Sequence, residues 1–173
     1  MMTLRECMQS TAVSAILALA IATAALAGSR EEQRRLTPSD IAVMAKSGTG
    51  AGTSGVLGIQ TTVLSGDPTA AGPYSIALRV PAHTKIAAHT HRDDRVAVVI
   101  SGVWFFGYGS NADETEVKAL EPGSFYTEPA DTPHFAITRD EPATIYITGF
   151  GPTHTLHRRR CRSATSLTLF HYR

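Results

Sequence analysis

From residue 57 onward the chain alternates between short apolar runs and turns rich in Gly, Pro and Asp. Within the runs, apolar and polar residues alternate with a period of two, which is typical of strands that bury one face. The pattern predicts strands at 58–64, 74–80, 85–91, 95–100, 103–108, 116–120, 124–127, 134–138 and 143–150. Strands at this spacing, without a long helical pattern, predict an all-β fold of the antiparallel sandwich or barrel type.

Residues 28–56 precede this pattern and have a different composition. Thr37-Pro38-Ser39-Asp40 predicts the start of a short N-terminal helix, with Thr37 or Asp40 as its N-cap. The stretch SGTGAGTSG at 47–55 is predicted to be a flexible linker, because Gly and Ser dominate it.

The first 27 residues have the composition of a signal peptide. An uncharged apolar run at 11–27 ends in Ala25-Leu26-Ala27, a pattern typical of signal-peptidase cleavage. The alternative is an uncleaved anchor helix, although the run lies at the short end of what spans a bilayer. We therefore expect an exported protein, periplasmic or secreted, with no membrane span after cleavage.

The length of 173 residues is enough for one domain, which we place at 57–152. Residues 28–153 carry 10 Lys and Arg against 14 Asp and Glu, whereas residues 154–173 carry five Arg and no acid. A mildly acidic domain argues against a nucleic-acid partner, which needs a basic patch on the fold. Because the alternation ends after Pro152, we expect 153–173 to be a basic, disordered tail.

Three histidines carry the candidate chemistry. His89 and His91 share one face of the strand predicted at 85–91, and His134 begins a later strand. Strands of a small barrel can bring these side chains together. Neutral imidazole suits zinc, iron, nickel and copper. The pattern therefore predicts a site for a divalent metal ion, with Zn, Fe, Mn, Ni and Cu all left open.

Two stretches around these histidines resemble the two motifs of the cupin family. They are HTKIAAHTHRDDRVAVVISG at 83–102 and GSFYTEPADTPHFAIT at 123–138. The resemblance implies a cupin double-stranded β-helix, a jelly-roll barrel, with a metal at its centre. Among cupins, the chain is most similar to small exported proteins and to the cupin domain of bacterial anti-sigma factors.

Four residues depart from the cupin motifs. His83 and Asp131 stand where the family has Gly, and Thr138 replaces a closing Asn. Asp tolerates the left-handed backbone region, so the turn at Asp131 is expected to survive. Arg95 replaces the Glu that usually completes the ligand set. Because guanidinium stays protonated and offers no acceptor, Arg95 is expected to modulate the site and not to bind the metal.

Three interpretations of the Arg95 substitution remain open. The three histidines bind the metal alone and leave open positions, or Asp94 or Glu128 supplies the missing carboxylate, or no metal binds and Arg95 holds an anionic ligand. In the first two cases Arg95 is expected to pair with Asp93, Asp94 or Glu128, or to point away, because a cation beside a divalent ion is unfavourable.

Two further strands bear on the site. Trp104, Phe106 and Tyr108 share one face, which favours a packed core over a substrate-binding wall. On the strand at 124–127, alternation pairs Tyr126 with Glu128 on one face. Glu128 is a ligand candidate only if that face points into the barrel.

The sequence supports three functional hypotheses. The first is an exported cupin that binds a divalent metal and acts as a small-molecule binder or sensor. The second is a metal-dependent dioxygenase or isomerase that acts on a small organic substrate. The third is a metal-free barrel that binds an anionic ligand or a partner. Exposed edge strands also make a homodimer plausible.

Overall fold

The computed structural model describes residues 32–48, 50 and 52–157. The predicted signal peptide at 1–27 and the basic residues 158–173 lie outside this part of the chain. Residues 32–35 belong to a separate unit, in which Arg34 donates a hydrogen bond to Glu32 at 3.1 Å. All of the helices and strands described below belong to the unit that begins at Leu36.

A short helix, α1 (Pro38–Val43), begins where the sequence predicts it. The Thr37 side chain accepts a hydrogen bond from the Asp40 backbone, and the Asp40 side chain accepts one from the Thr37 backbone at 2.7 Å. Thr37 is therefore the N-cap, because this reciprocal pair satisfies two backbone N–H groups at the helix start. No helix among the described residues is both long and apolar enough to cross a membrane.

Two five-stranded antiparallel sheets form the body of the domain, which confirms the predicted all-β fold. The first sheet has the order β1-β2-β9-β4-β7 and the second the order β10-β3-β8-β5-β6. The strands are β1 (Gln60–Gly66), β2 (Gly72–Val80), β3 (Lys85–His91), β4 (Arg95–Ser101), β5 (Trp104–Tyr108), β6 (Lys118–Leu120), β7 (Phe125–Glu128), β8 (His134–Ile137), β9 (Ala143–Gly151) and β10 (Thr155–His157).

The core lies between the inner faces of the two sheets. Ile76 on β2, Val99 on β4 and Ile145 on β9 are fully buried there, as their alternation predicts. Trp104 and Phe106 on β5 belong to the same core, which confirms the packing interpretation for these two residues. Burial of apolar side chains on the inner face of each sheet therefore determines which side of a strand points into the core.

The two turns in which His83 and Asp131 stand at glycine positions of the cupin motifs have a left-handed backbone. His83 has φ 54° and Asp131 has φ 57°. The His83 amide donates to the Arg139 carbonyl at 2.7 Å, and the Asp131 amide donates to the His91 carbonyl at 2.7 Å. The expectation for Asp131 is confirmed, because its turn forms and ties the second motif to the end of β3.

The interpretation of residues 47–55 as a flexible linker is wrong for the residues described there. Ser47 forms an antiparallel backbone bridge with Thr61 of β1. Thr53 and Ser54 are buried, and the Thr53 hydroxyl bonds to the backbone N–H and carbonyl of Gly50 at 2.9 Å. A composition rich in Gly and Ser could not reveal these local hydrogen bonds, which replace flexibility with a defined turn.

The domain boundary predicted after residue 152 is too early. β10 pairs with β3 in antiparallel register, with Thr155 opposite His91 and His157 opposite His89. Thr153 is buried, and its hydroxyl donates to Asp93 Oδ1 at 2.7 Å. A strand of three residues is too short to show alternation, so the sequence pattern gave no sign of it.

Gly107 on β5 offers a test of the core packing. A Cβ at this position would lie 2.5 Å from Phe135 Cζ, and Phe135 is fully buried. We expect Gly107→Ala to lower the free energy of unfolding by about 1–3 kcal/mol through overpacking, measured by urea denaturation. Gly48→Ala is the control, because nothing lies within 4 Å of its Cβ position. Equal stabilities of the two variants would contradict the packing of β5 against β8.

Candidate metal centre

The three histidines singled out by the sequence lie together between the sheets. His89 and His91 face inward from β3, and His134 on β8 pairs directly with His89. All three are at most 4% exposed, and the atoms they could offer a metal lie within 4.8 Å of one another. The ring centroids are 4.5–5.2 Å apart. This is a compact group of three imidazoles supplied by neighbouring strands.

Hydrogen bonds to the backbone hold each imidazole in one orientation. A carbonyl oxygen can only accept, so the Nδ1 atom in each bond carries the proton and Nε2 keeps its lone pair. The carbonyl partners are Ala87 for His89 (2.8 Å), His154 for His91 (3.0 Å) and Thr132 for His134 (3.0 Å). Protein ligands of metals are typically oriented in this way.

The surroundings of His91 and His134 favour the neutral form of both imidazoles. Burial, with a further contribution from the Arg95 charge, lowers the pKa of His91 to about 2. Burial also lowers the pKa of His134, although the nearby Glu128 carboxylate opposes that shift. Neutral imidazole is the form that donates a lone pair to a metal.

The donor set fits a divalent cation. Among the described residues, Nε2 of His91 and Nε2 of His134 are buried and have no hydrogen-bond partner. Nε2 of His89 has the Ser54 hydroxyl at 3.0 Å. Buried polar atoms normally have partners, so unsatisfied lone pairs in a cluster of three imidazoles indicate a place where a cation can bind.

Glu128, and not Asp94, lies beside the histidines. The face of β7 that carries Tyr126 and Glu128 is the buried one. Glu128 Oε2 lies 3.6 Å from His134 Nε2 and 3.9 Å from His91 Nε2. Asp94 is exposed, and its Oδ1 accepts a hydrogen bond from the Ala130 amide at 2.8 Å. Of the two predicted carboxylates, the structure brings only Glu128 to the cluster.

Arg95 is buried and paired with Glu128, one of the partners that the sequence left open. The two residues are opposite each other on β4 and β7, and Arg95 Nη2 donates to Glu128 Oε2. Burial alone would lower the pKa of Arg95, but the charge of Glu128 and smaller contributions from Tyr74 and Asp93 outweigh it, so the pKa is raised. Arg95 Nε and Nη1 have no hydrogen-bond partner in the described part of the chain.

Asp93, the other buried carboxylate in this region, has different partners from those predicted. Its Oδ2 accepts from the Tyr74 hydroxyl and its Oδ1 from the Thr153 hydroxyl, both at 2.7 Å. Burial is the main reason why the pKa of Tyr74 rises to about 12, so Tyr74 remains a donor. Tyr74 and Thr153 lie far from the two motifs in sequence, and no local pattern could have assigned them to Asp93.

Aromatic side chains form one wall of the histidine cluster. The Phe106 ring stacks on His134 with centroids 5.5 Å apart, and it contacts the Tyr126 ring at 4.3 Å. Phe106 and Tyr126 also line a cavity of about 440 Å³, together with Tyr108 and Phe125. Phe106 thus packs in the core and borders the cavity, whereas Tyr108, predicted to share its packed face, is 50% exposed.

No protein-family model matches the chain, and no curated protein matches it. Solved structures do match. The polyketide cyclase RemF from Streptomyces resistomycificus is 15% identical and aligns over 73% of this chain and 85% of its own, with a TM-score of 0.55. An RmlC-like cupin from Shewanella frigidimarina is 13% identical and aligns over 69% of this chain and 92% of its own, with a TM-score of 0.51. A cupin-superfamily sugar phosphate isomerase from Silicibacter pomeroyi is 20% identical and aligns over 72% of this chain and 82% of its own, with a TM-score of 0.50.

One further match is partial. The alignment with a structure of the DMSP lyases RdDddP and RnDddQII covers 54% of this chain and spans 48% of that chain, at a TM-score of 0.46. The predicted similarity to anti-sigma-factor domains stays a prediction. The matches at a TM-score of 0.50 or more agree with the two antiparallel sheets and with the two motifs. The described chain therefore has the fold of the cupin superfamily.

Proposed function

We propose that this chain is a metal-binding cupin in which His89, His91 and His134 hold one divalent cation beside a bound small molecule. One observation carries the proposal. Three imidazoles converge with Nδ1 bonded to backbone carbonyls and with Nε2 directed toward the cluster. A metal-free structural core would bury apolar side chains at these positions more favourably than three polar rings.

Glu128 is the proposed fourth protein group. The family places a carboxylate at the position of Arg95, whereas here the carboxylate stands directly opposite on β7. Glu128 Oε2 is already within 4 Å of two of the ligand nitrogens. Arg95 and a cation would compete for the same carboxylate, so Arg95 should weaken the contribution of Glu128 to metal binding.

Buried donors around Glu128 support a role in binding a small molecule. Arg95 Nε and Nη1 are buried and have no hydrogen-bond partner among the described residues, and the Tyr126 hydroxyl is buried close enough to Glu128 and Arg95 for their charges to affect its pKa. Burial raises the pKa of Tyr126 well above its usual value, so Tyr126 can donate a proton in a hydrogen bond. These groups could bind the oxygens of a polar or anionic ligand, while a bound cation would polarise that ligand as a Lewis acid.

An enzyme, such as a metal-dependent dioxygenase or isomerase, is the second candidate. The same unpartnered Arg95 donors serve an enzyme as well as a binder, because a substrate also needs groups that bind its oxygens. The matched structures include a polyketide cyclase and a sugar phosphate isomerase. At these identities their substrates do not transfer to this chain, since one fold hosts many activities. Turnover of a small substrate would distinguish the enzyme from a binder or sensor.

We extend the proposal to export and to self-association. The signal-peptide composition of residues 1–27, which lie outside the described part, supports a periplasmic or secreted protein. For a homodimer, the support is the outer face of β4 and the edge strand β7, where Val96, Ile100 and Phe125 are exposed.

Metal content tests the histidine site. The protein, purified in the form that the cell produces and without chelator, should carry about one zinc or transition-metal ion per chain by elemental analysis. We expect the double variant His89→Ala/His91→Ala to lose the ion, because only one imidazole remains. His154→Ala is the matched control, because its side chain is exposed while the backbone carbonyl that orients His91 is retained. An unchanged metal content in the double variant would exclude this site.

Paired substitutions test the role of Glu128. We expect Glu128→Gln to weaken metal affinity and Arg95→Met to strengthen it, each by roughly tenfold or more, because the first removes the carboxylate and the second releases it. Competition with a chromophoric chelator measures both. Without metal, each variant should also unfold at lower urea, since one buried charge loses its partner. Weaker affinity in both variants would show that the pair only supports the fold.

A further inference from the structure

Ser54 lies against a ligand nitrogen of the proposed metal site. It belongs to the turn at residues 52–56, which we call the Ser54 turn, and its side chain is buried. Ser54 Oγ is 3.0 Å from His89 Nε2. Because His89 Nδ1 must donate to the Ala87 carbonyl, Nε2 of the neutral ring is an acceptor and the Ser54 hydroxyl is the donor.

We propose that the Ser54 hydroxyl and the metal ion compete for His89 Nε2, so that metal binding releases the Ser54 turn from the cluster. An imidazole nitrogen has one lone pair in the ring plane, and it cannot accept a hydrogen bond and ligate a cation at once. Ser54 is therefore a positioning residue that controls metal affinity. This inference rests on the proposed metal site.

The backbone of the Ser54 turn is held in an unfavourable conformation that loss of a contact could relax. Ser54 has φ 52°, a region that costs free energy for any residue other than Gly, and it lies between Gly52 (φ 86°) and Gly55 (φ 70°). Such a conformation persists only where its surroundings hold it. The hydrogen bond to His89, the close packing of Gly52 on Ile76 and the Thr53 hydrogen bonds to Gly50 are among the contacts that hold it.

Burial explains why release of the turn would matter. His89 is 4% exposed and its Nε2 is 3.0 Å from the Ser54 hydroxyl, so the lone pair of that nitrogen is occupied by a hydrogen bond while the turn is docked. Moving the Ser54 hydroxyl away from Nε2 frees the lone pair of the third imidazole and completes the donor set formed with His91 and His134. The Ser54 turn is therefore an element whose position a metal ion would change directly.

Metal affinity of Ser54→Ala is the first measurement. We expect Zn²⁺ or Co²⁺ to bind roughly 2- to 10-fold more tightly than to the unchanged protein, because a competing hydrogen bond is lost. Ser54→Gly should show the same gain and also fits the positive φ, which separates the loss of the hydroxyl from backbone strain. Ser47→Ala is the control, since its hydroxyl bonds the Thr61 carbonyl away from the histidines, and its affinity should not change.

Hydrogen exchange gives a second readout that does not depend on activity. In the unchanged protein, adding metal should speed exchange at the Val56 amide, which bonds the Thr53 carbonyl within the turn. In Ser54→Ala, exchange there should be fast already and insensitive to metal.

The outcomes separate the two proposals. If Ser54→Ala binds metal with unchanged or weaker affinity, the Ser54 hydroxyl does not compete with the metal for His89 Nε2. A weaker affinity would further show that the hydroxyl supports the bound metal. Metal binding to the unchanged protein without faster exchange in the turn would overturn the release. Absence of metal binding in the unchanged protein would overturn the histidine site itself.

Discussion

The buried ion pair of Arg95 and Glu128 is the interaction on which the interior of the barrel depends. A guanidinium that stays charged at this depth needs a counter-charge, because an unpaired buried ion costs several kcal/mol, about 3–5 by analogy with broken buried pairs. Glu128 supplies that charge from the neighbouring strand β7. The same carboxylate approaches His91 and His134, so the pair that satisfies Arg95 also brings an anion to the histidine cluster.

A second polar network separates Asp93 from that centre. Asp93 could have neutralised Arg95, but both of its oxygens accept hydroxyl donors, from Tyr74 and Thr153. Arg95 and Asp93 therefore belong to separate sets of hydrogen bonds. Glu128 remains the carboxylate closest to the histidines, whereas Asp93 contributes charge from a distance and fastens the segment after β9 to the barrel.

The sequence predicted the fold and the three histidines because both leave periodic signals. Alternation identified the strands from β1 to β9, and the spacing of His89 and His91 placed both on one face. Pairing across strands leaves no such signal, so Arg95 had three candidate partners until the register of β4 and β7 selected Glu128. Composition was misleading at 47–55, because a turn held by Thr53 and Ser54 has the same residues as a linker.

Residues outside the two motifs complete the site that the motifs begin. The motifs provide His89, His91 and His134, yet Ser54 from the preceding turn meets His89, and the His154 carbonyl from the following segment orients His91. The packing of both segments would therefore influence the free energy with which the proposed site binds a cation. A barrel cut to the motif-bearing strands alone would keep the three histidines but lose the group that orients one imidazole and the hydroxyl that bonds another. Any metal affinity of the proposed site would thus depend on residues beyond the two motifs.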